Sequence, residues 1–286
     1  MSRQVDTEAR KPSAMQRTDS LSVRLREGTR HAHRVVERVR FIRCFLKGVL
    51  HRPSYLRYLC DLHLLYQTLE QELSALILDP VVGPVCLPTL FRQKALASDL
   101  AHLYGAAWQQ ALIPSLVAQE YAQHLRRLSH ESPHRLVAHA YTRYLGDLAG
   151  GQILRAFAKL ALGLSQGEGL SFYDFPLITD VAVMREQFRR ILDALPLSVQ
   201  QSAEVVTEAV RAFQMNQAIL EGVEEELDAD VRLGSKPGEA QHDQEKVTSD
   251  CGTTRGDEDR VSDRGRQAQV DSVDNALQVE HLHVVS

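Results

Sequence analysis

Two histidines two residues apart, His31 and His33, head the side chains with chemistry to offer. On a helix, residues i and i+2 point to different faces, so the two cannot chelate one metal together. His33 shares a row with Leu25 and Thr29 and precedes Val36, which puts it near an apolar face. Neutral imidazole ligates metals, haem iron included. Glu37, one turn later, can orient such a ring through its other nitrogen. A lone histidine beside an apolar face is also a common core residue, and the spacing leaves both readings open.

The second segment with chemical potential runs from Tyr141 to Gln152, Tyr-Thr-Arg-Tyr-Leu-Gly-Asp-Leu-Ala-Gly-Gly-Gln. Helical apolar spacing surrounds it, at Val137, Tyr141, Tyr144, Leu145 and Leu148 before and Leu154, Phe157 and Leu160 after. Three glycines interrupt it, each costing about 1 kcal/mol relative to alanine inside a helix. Gly146 and Gly150 are four apart and share a face. A face without side chains lets a flat ligand approach the backbone, and the interruption lets the helix bend. The alternative is a helix that ends here, with Gly150 and Gly151 as its cap. Asp147 adds a carboxylate beside the glycines. Two arginine pairs at one-turn spacing, Arg26 with Arg30 and Arg185 with Arg189, can clamp an anion, although a solvated helix face has the same pattern.

The elements that must position these groups are helical. Thr18, Asp19 and Ser20 offer a cap before Leu21, Leu25, Ala32, Val36 and Val39. Further amphipathic runs cover Tyr55 to Leu78, Leu136 to Leu162, Met184 to Leu195 and Ser198 to Leu227. Prolines 53, 88, 114, 133, 176 and 196 fall between runs, and no useful strand alternation occurs. The expected fold is all-α, with one domain at 20–230. A polar arm at 1–19 precedes it, and a polar, disordered tail at 231–286, without aromatic residues, follows. A net charge of −4 provides no global basic field for nucleic acid. Cys44, Cys60, Cys86 and Cys251 stand too far apart for a CxxC motif, and free thiols in a reducing compartment are the simplest reading. Neither an apolar leader nor a stretch of about 20 apolar residues is present, so no membrane span is expected.

The string from Tyr141 to Gln152 resembles the distal-helix signature of the haem oxygenases. The stretch from Leu25 to Glu37 looks like the proximal helix of the same family. Further similarity runs through Phe41 to Gly48, Leu65-Tyr66, Asp99-Leu-Ala, Tyr104-Gly105, Trp108, Phe172 to Pro176 and Phe213 to Asn216, covering about residues 20 to 227. The resemblance implies a single-domain, multi-helix fold with haem between a proximal helix and a glycine-kinked distal helix. It makes His33 the axial ligand of haem iron, with Glu37 behind it. Gly146 and Gly150 lie over the haem face, and Asp147 orders water near bound oxygen. Arg26, Arg30, Arg185 and Arg189 hold the propionates. Tyr141, Arg143, Gly151 and Phe213 complete the pocket.

The implied reaction is oxidative cleavage of haem, with O2 and supplied electrons, to biliverdin, carbon monoxide and ferrous iron. Haem is both substrate and cofactor. The implied partners are an NADPH-dependent reductase or a ferredoxin, with biliverdin reductase downstream. The protein is expected to be a cytoplasmic monomer, in peripheral contact with the endoplasmic reticulum at most. Ala149, where the family usually has serine, is a departure that removes a hydroxyl near the distal water. It leaves room for a haem sensor or buffer without turnover. A di-iron carboxylate bundle is rejected. Of its Glu-x-x-His matches, Glu131–His134 contains Pro133, while Glu239–His242 and Glu280–His283 lie in the tail.

Overall fold

The computed structural model describes residues 20–47, 51–164 and 168–232. The expected arm, and the expected tail beyond Arg232, lie outside the described residues. The chain divides into two units, Met1–Glu225 and Glu226–Ser286, and the site described below belongs to the first.

Among the described residues every regular element is helical. Helix α1, Leu21–Glu37, buries Leu21, Leu25 and Thr29, each one turn from the next. The sequence suggests a cap from residues just before it. Ser20, in the cap position, makes no capping hydrogen bond. Asp193 supplies it from far along the chain, accepting from the Ser22 backbone N–H at 2.8 Å and the Ser22 hydroxyl at 3.0 Å. Thr18 and Asp19 lie outside the described residues. Helix α2, Arg40–Leu46, turns Phe41 and Phe45 inward.

The axis of the core is α3, Arg52–Ala75, which starts on a first-turn proline. Tyr55, Leu59, Leu62, Leu65, Tyr66 and Leu69 on it are almost fully buried, so it is covered on several sides. Helices α4 (Gln93–Leu103) and α6 (Leu116–Glu131) pack against it, and the short α5 (Trp108–Ala111) lies between them in sequence. Buried acids hold the chain ends of these elements. Glu70 accepts the backbone N–H of Arg92 at 2.5 Å and of Gln93 at 3.2 Å at the start of α4. Burial pushes its carboxyl up to about 7. Asp99 accepts the backbone N–H groups of Ser171 and Phe172 at 2.8 and 2.7 Å.

The expected run from Leu136 to Leu162 is one continuous helical segment with a defect. Helix α7, Leu136–Ala140, passes into a π-helical turn at Tyr141–Leu145 and then into α8, Gly146–Ala161. Gly146, Gly150 and Gly151 therefore lie inside a helix and do not cap one. The irregularity falls in the turn before Gly146; π-turns are a recognised cause of helix bending. Asp180 caps α9, Val181–Ala194, accepting from Ala182 and Val183 at 2.8 and 3.0 Å. Helix α10, Val199–Arg232, begins after Pro196. Gly28 lets α1 approach α10 closely, since a Cβ there would stand 2.6 Å from Val206 Cγ1.

Candidate active site

His33 lies in the last turns of α1 with its side chain 45% exposed. Its Nδ1 is 3.3 Å from the Glu37 carboxylate. This contact orients the ring and leaves Nε2 as the nitrogen able to ligate a metal. The ring also stands edge-on to Phe213 of α10, with centroids 5.6 Å apart. His31 is exposed on another face. Thr29, one turn before His33, donates to the Leu25 carbonyl at 2.7 Å and is among the groups that lower the Tyr141 hydroxyl.

Tyr141 also marks where the cations gather. Burial pushes its hydroxyl above its usual range, while Thr29, Arg189 and Arg26 pull the other way. Arg26 and Arg189, from helices α1 and α9, are thus near the same phenol. Arg30 pairs with Glu27 at 2.5 Å, and Arg189 lies 3.9 Å from Glu186. Both ion pairs are substantially exposed and of little net value, so a ligand anion can replace them at low cost. Arg185 is half-buried one turn before Arg189.

On the distal side, a Cβ added to Gly146 or to Gly150 would meet nothing within 4 Å. The helix therefore presents an open strip without side chains. Gly151 is different: it is buried, and a Cβ there would face the Tyr173 carbonyl at 3.7 Å. Asp147, next to the strip, is only 10% exposed. Tyr66 of α3 donates to Asp147 Oδ2, and Arg143 Nη2 lies 3.5 Å from Oδ1. Arg143 also donates to the Tyr66 hydroxyl and to Asn216 Oδ1, both at 2.9 Å. Burial raises the Asp147 carboxyl, opposed by Arg143, Tyr66 and Arg92. Burial would lower Arg143, but Tyr66, Asp147 and Tyr58 hold it above its usual value and fully charged. The structure thus places Arg143 in a buried network around Asp147, while Arg26, Arg30, Arg185 and Arg189 are half-buried.

Among the described residues one group has the spacing of metal ligands: His124, His139 and Glu208, with donor atoms within 4.8 Å of one another. Hydrogen bonds account for it. Glu208 Oε1 accepts from His124 Nε2 at 2.6 Å and from His139 Nε2 at 3.3 Å, and Tyr121 bonds His139 Nδ1 at 2.9 Å. Burial would raise Glu208, yet the two histidines hold it well below the usual carboxylate range. A depressed acid stabilises the fold above its unfolded pKa and loses that contribution as pH falls through the folded one. Glu208→Gln is therefore expected to cost about 3 kcal/mol at neutral pH, the usual penalty for breaking a buried pair. Urea unfolding should show this gap, and it should narrow in acid.

Sequence spacing brought together His33 with Glu37 and Gly146 with Gly150. It did not identify Tyr66 and Asn216 as partners of Arg143 and Asp147, although both lie in stretches that carry the resemblance. Their local signal is only that of polar groups on otherwise buried helix faces.

The sequence matches the family described as Heme oxygenase over residues 19–222. It is 37% identical over 210 residues to "Heme oxygenase 1" of Nostoc sp., covering 73% of this chain and 88% of that protein. It is 39% identical over 203 residues to "Heme oxygenase" of Pyropia yezoensis, covering 71% and 85%. Among solved structures, it is similar to heme oxygenase-1 from Synechocystis sp. in complex with heme, with TM-score 0.72 and 35% identity over 75% of this chain and 97% of that one. Heme oxygenase from Leptospira interrogans matches with TM-score 0.69 and 39% identity, over 71% and 99%.

Proposed function

This chain belongs to the haem oxygenase family, an all-helical family of haem-degrading oxidoreductases, and from that premise we propose how its residues divide the work of opening haem to biliverdin, carbon monoxide and ferrous iron. One observation carries the assignment of roles. Gly146 and Gly150 leave a face without side chains within a continuous helical segment, where a Cβ would meet open space. A helix gains no packing from such a face and loses about 1 kcal/mol per glycine. A flat macrocycle lying against the backbone gives the glycines a use.

His33 would hold the haem iron through Nε2, oriented by Glu37 through Nδ1. Phe213 walls the same side. Arg26, Arg30, Arg185 and Arg189 receive the propionates at the open edge, with Tyr141 among them. Bound haem supplies the iron and its oxygen chemistry. The protein positions the ring, excludes bulky groups from its distal face and holds a charged hydrogen-bond acceptor, Asp147, beside that face. Arg143, Tyr66 and Asn216 fix the acceptor's position. Asp147 would act through water beside bound haem.

Electrons come from an NADPH-dependent reductase or a ferredoxin. The reading takes the chain as a cytoplasmic monomer, in peripheral contact with the endoplasmic reticulum at most. No described helix is long and apolar enough to cross a membrane. The catalytic domain is taken as residues 20–230, with the tail dispensable for chemistry.

The test is a haemin titration followed by absorption, then turnover with a reductase and detection of biliverdin. A spectrum without histidine ligation, or turnover without biliverdin, contradicts the assignment. Gly150→Ala sharpens it. Without haem, the variant should be more stable by about 1 kcal/mol, because alanine is the better helix former and its methyl has space. With haem, it should bind more weakly or give an altered ratio of biliverdin isomers. Unchanged affinity and an unchanged ratio together would show that this face does not touch haem.

A further inference from the structure

Helix α1 carries one glycine, Gly28, near its middle. Glycine forms helices poorly, and Gly28 is exposed on its outer side, so neither local preference nor burial explains it. Its neighbour does. A Cβ at Gly28 would stand 2.6 Å from Val206 Cγ1 of α10. Ordinary carbon contacts lie at roughly 3.5–4 Å, so every residue but glycine would hold the two helices further apart here.

The contact belongs to a series in register. Arg24 Nη1 donates to Ser202 Oγ at 2.6 Å. One turn further along both helices, Gly28 meets Val206. Beyond that, the His33 ring stands against Phe213 with centroids 5.6 Å apart. Residue numbers rise together on the two helices, so α1 and α10 run in the same direction through this crossing. Asp193 of α9 also accepts from Ser22, at the start of α1. The bonds of Ser22 and Arg24 thus fasten α1 before Gly28, and His33 lies after it.

We infer that the Gly28–Val206 contact is a positioning device for the reaction: by letting α1 close on α10, it sets where His33 stands against haem. This rests on the reading of His33 as the iron's ligand. From Gly28 to His33 the helix rises about 7.5 Å, at about 1.5 Å per residue, as one hydrogen-bonded rod. A methyl at position 28 must gain about 1 Å from Val206 Cγ1 to reach ordinary contact. Val206 is β-branched and has one strongly preferred rotamer in a helix, so the displacement falls on α1. Fastened at Ser22 and Arg24, α1 then pivots, and its later half moves with His33.

The test compares full-length wild type with Gly28→Ala, with Gly28→Ala/Val206→Ala, and with a control, Gly222→Ala. Gly222 lies on α10, where a Cβ would meet nothing within 4 Å. Each protein is loaded with haemin and reduced, and the iron–histidine stretching frequency is read by resonance Raman. Biliverdin formation is then followed with ascorbate as reductant. Gly28→Ala should shift the frequency and slow ring opening about ten- to a hundredfold, as displacing a positioned group by about 1 Å does. The double variant should return toward wild type in both, since truncating Val206 makes room for the methyl. The control should match wild type. Urea unfolding of the haem-free proteins reports stability separately.

An unchanged frequency in Gly28→Ala, with or without a loss of stability, would overturn the inference and leave the reading of His33 intact, because the contact would then serve packing alone. A shift that the added Val206→Ala does not reverse would also overturn it, since the effect would not pass through this contact. Absence of histidine-ligated haem in the wild type would remove the reading of His33 and the inference together.

Discussion

Asp147→Ala should still bind haem through His33 and yet lose about ten- to a hundredfold of its ring-opening activity. The carboxylate is nearly buried and is held by Tyr66 from one side and Arg143 from another. Hydrogen bonds to a charged group are worth about 1.5–3 kcal/mol, and about 1.4 kcal/mol is tenfold in rate. Losing one such bond, mediated by water, in the rate-limiting arrangement gives the stated range. A merely structural role would lower stability without changing what the oxidant does. The discriminating readout is therefore the ratio of biliverdin formed to a phenol such as guaiacol oxidised, which should shift toward the phenol. Asp147→Asn keeps the shape and removes the charge opposite Arg143. It should lie with alanine in that ratio and closer to wild type in stability. Full biliverdin yield from both variants would take the carboxylate out of the mechanism.

His33→Ala should lose the histidine-ligated haem spectrum outright, while His31→Ala keeps it. The two histidines are close in sequence but differ in place. His33 has its Nδ1 on Glu37 and its edge on Phe213, whereas His31 is exposed on another face. On the proposed ligation, added imidazole should restore the spectrum of His33→Ala, since the rest of the pocket remains. Glu37→Gln should keep the ligand but alter its basicity, visible as a changed potential of the bound haem. Loss of the spectrum in His31→Ala, with retention in His33→Ala, would mean that the helix register assigned here is wrong.

A haem sensor or buffer would share the His33 result but not the Asp147 one, since in the proposed assignment His33 serves binding and Asp147 serves turnover. Ala149, the departure that raised this alternative, lies half-buried between Leu148 and Gly150. Asp147 is held in place without a hydroxyl at that position, by Tyr66 and Arg143.

Local relations were legible in the sequence because they repeat with the helix period. The apolar rows of α1, α3 and α10, the one-turn step from His33 to Glu37 and the shared face of Gly146 and Gly150 all follow from 3.6 residues per turn. The cost of glycine in a helix was equally readable, and it pointed to a face with a purpose. What the glycines do to the helix was not. They continue it, and the irregularity sits at Tyr141–Leu145, because a π-turn depends on backbone hydrogen bonds that no residue type prescribes.

The remaining features required the tertiary fold. Tyr66 meets Asp147 across 81 residues, and Asn216 meets Arg143 across 73. Asp193 takes over the cap of α1 across 171 residues. Glu208 draws in His124 and His139 from two other helices. Each pairing joins groups on different helices, whose meeting is set by how the apolar faces pack. Periodicity tells which face of a helix turns inward, but it does not tell which polar groups on those faces will meet. That depends on the crossing of one helix over another, and through it burial decides which charges must find partners.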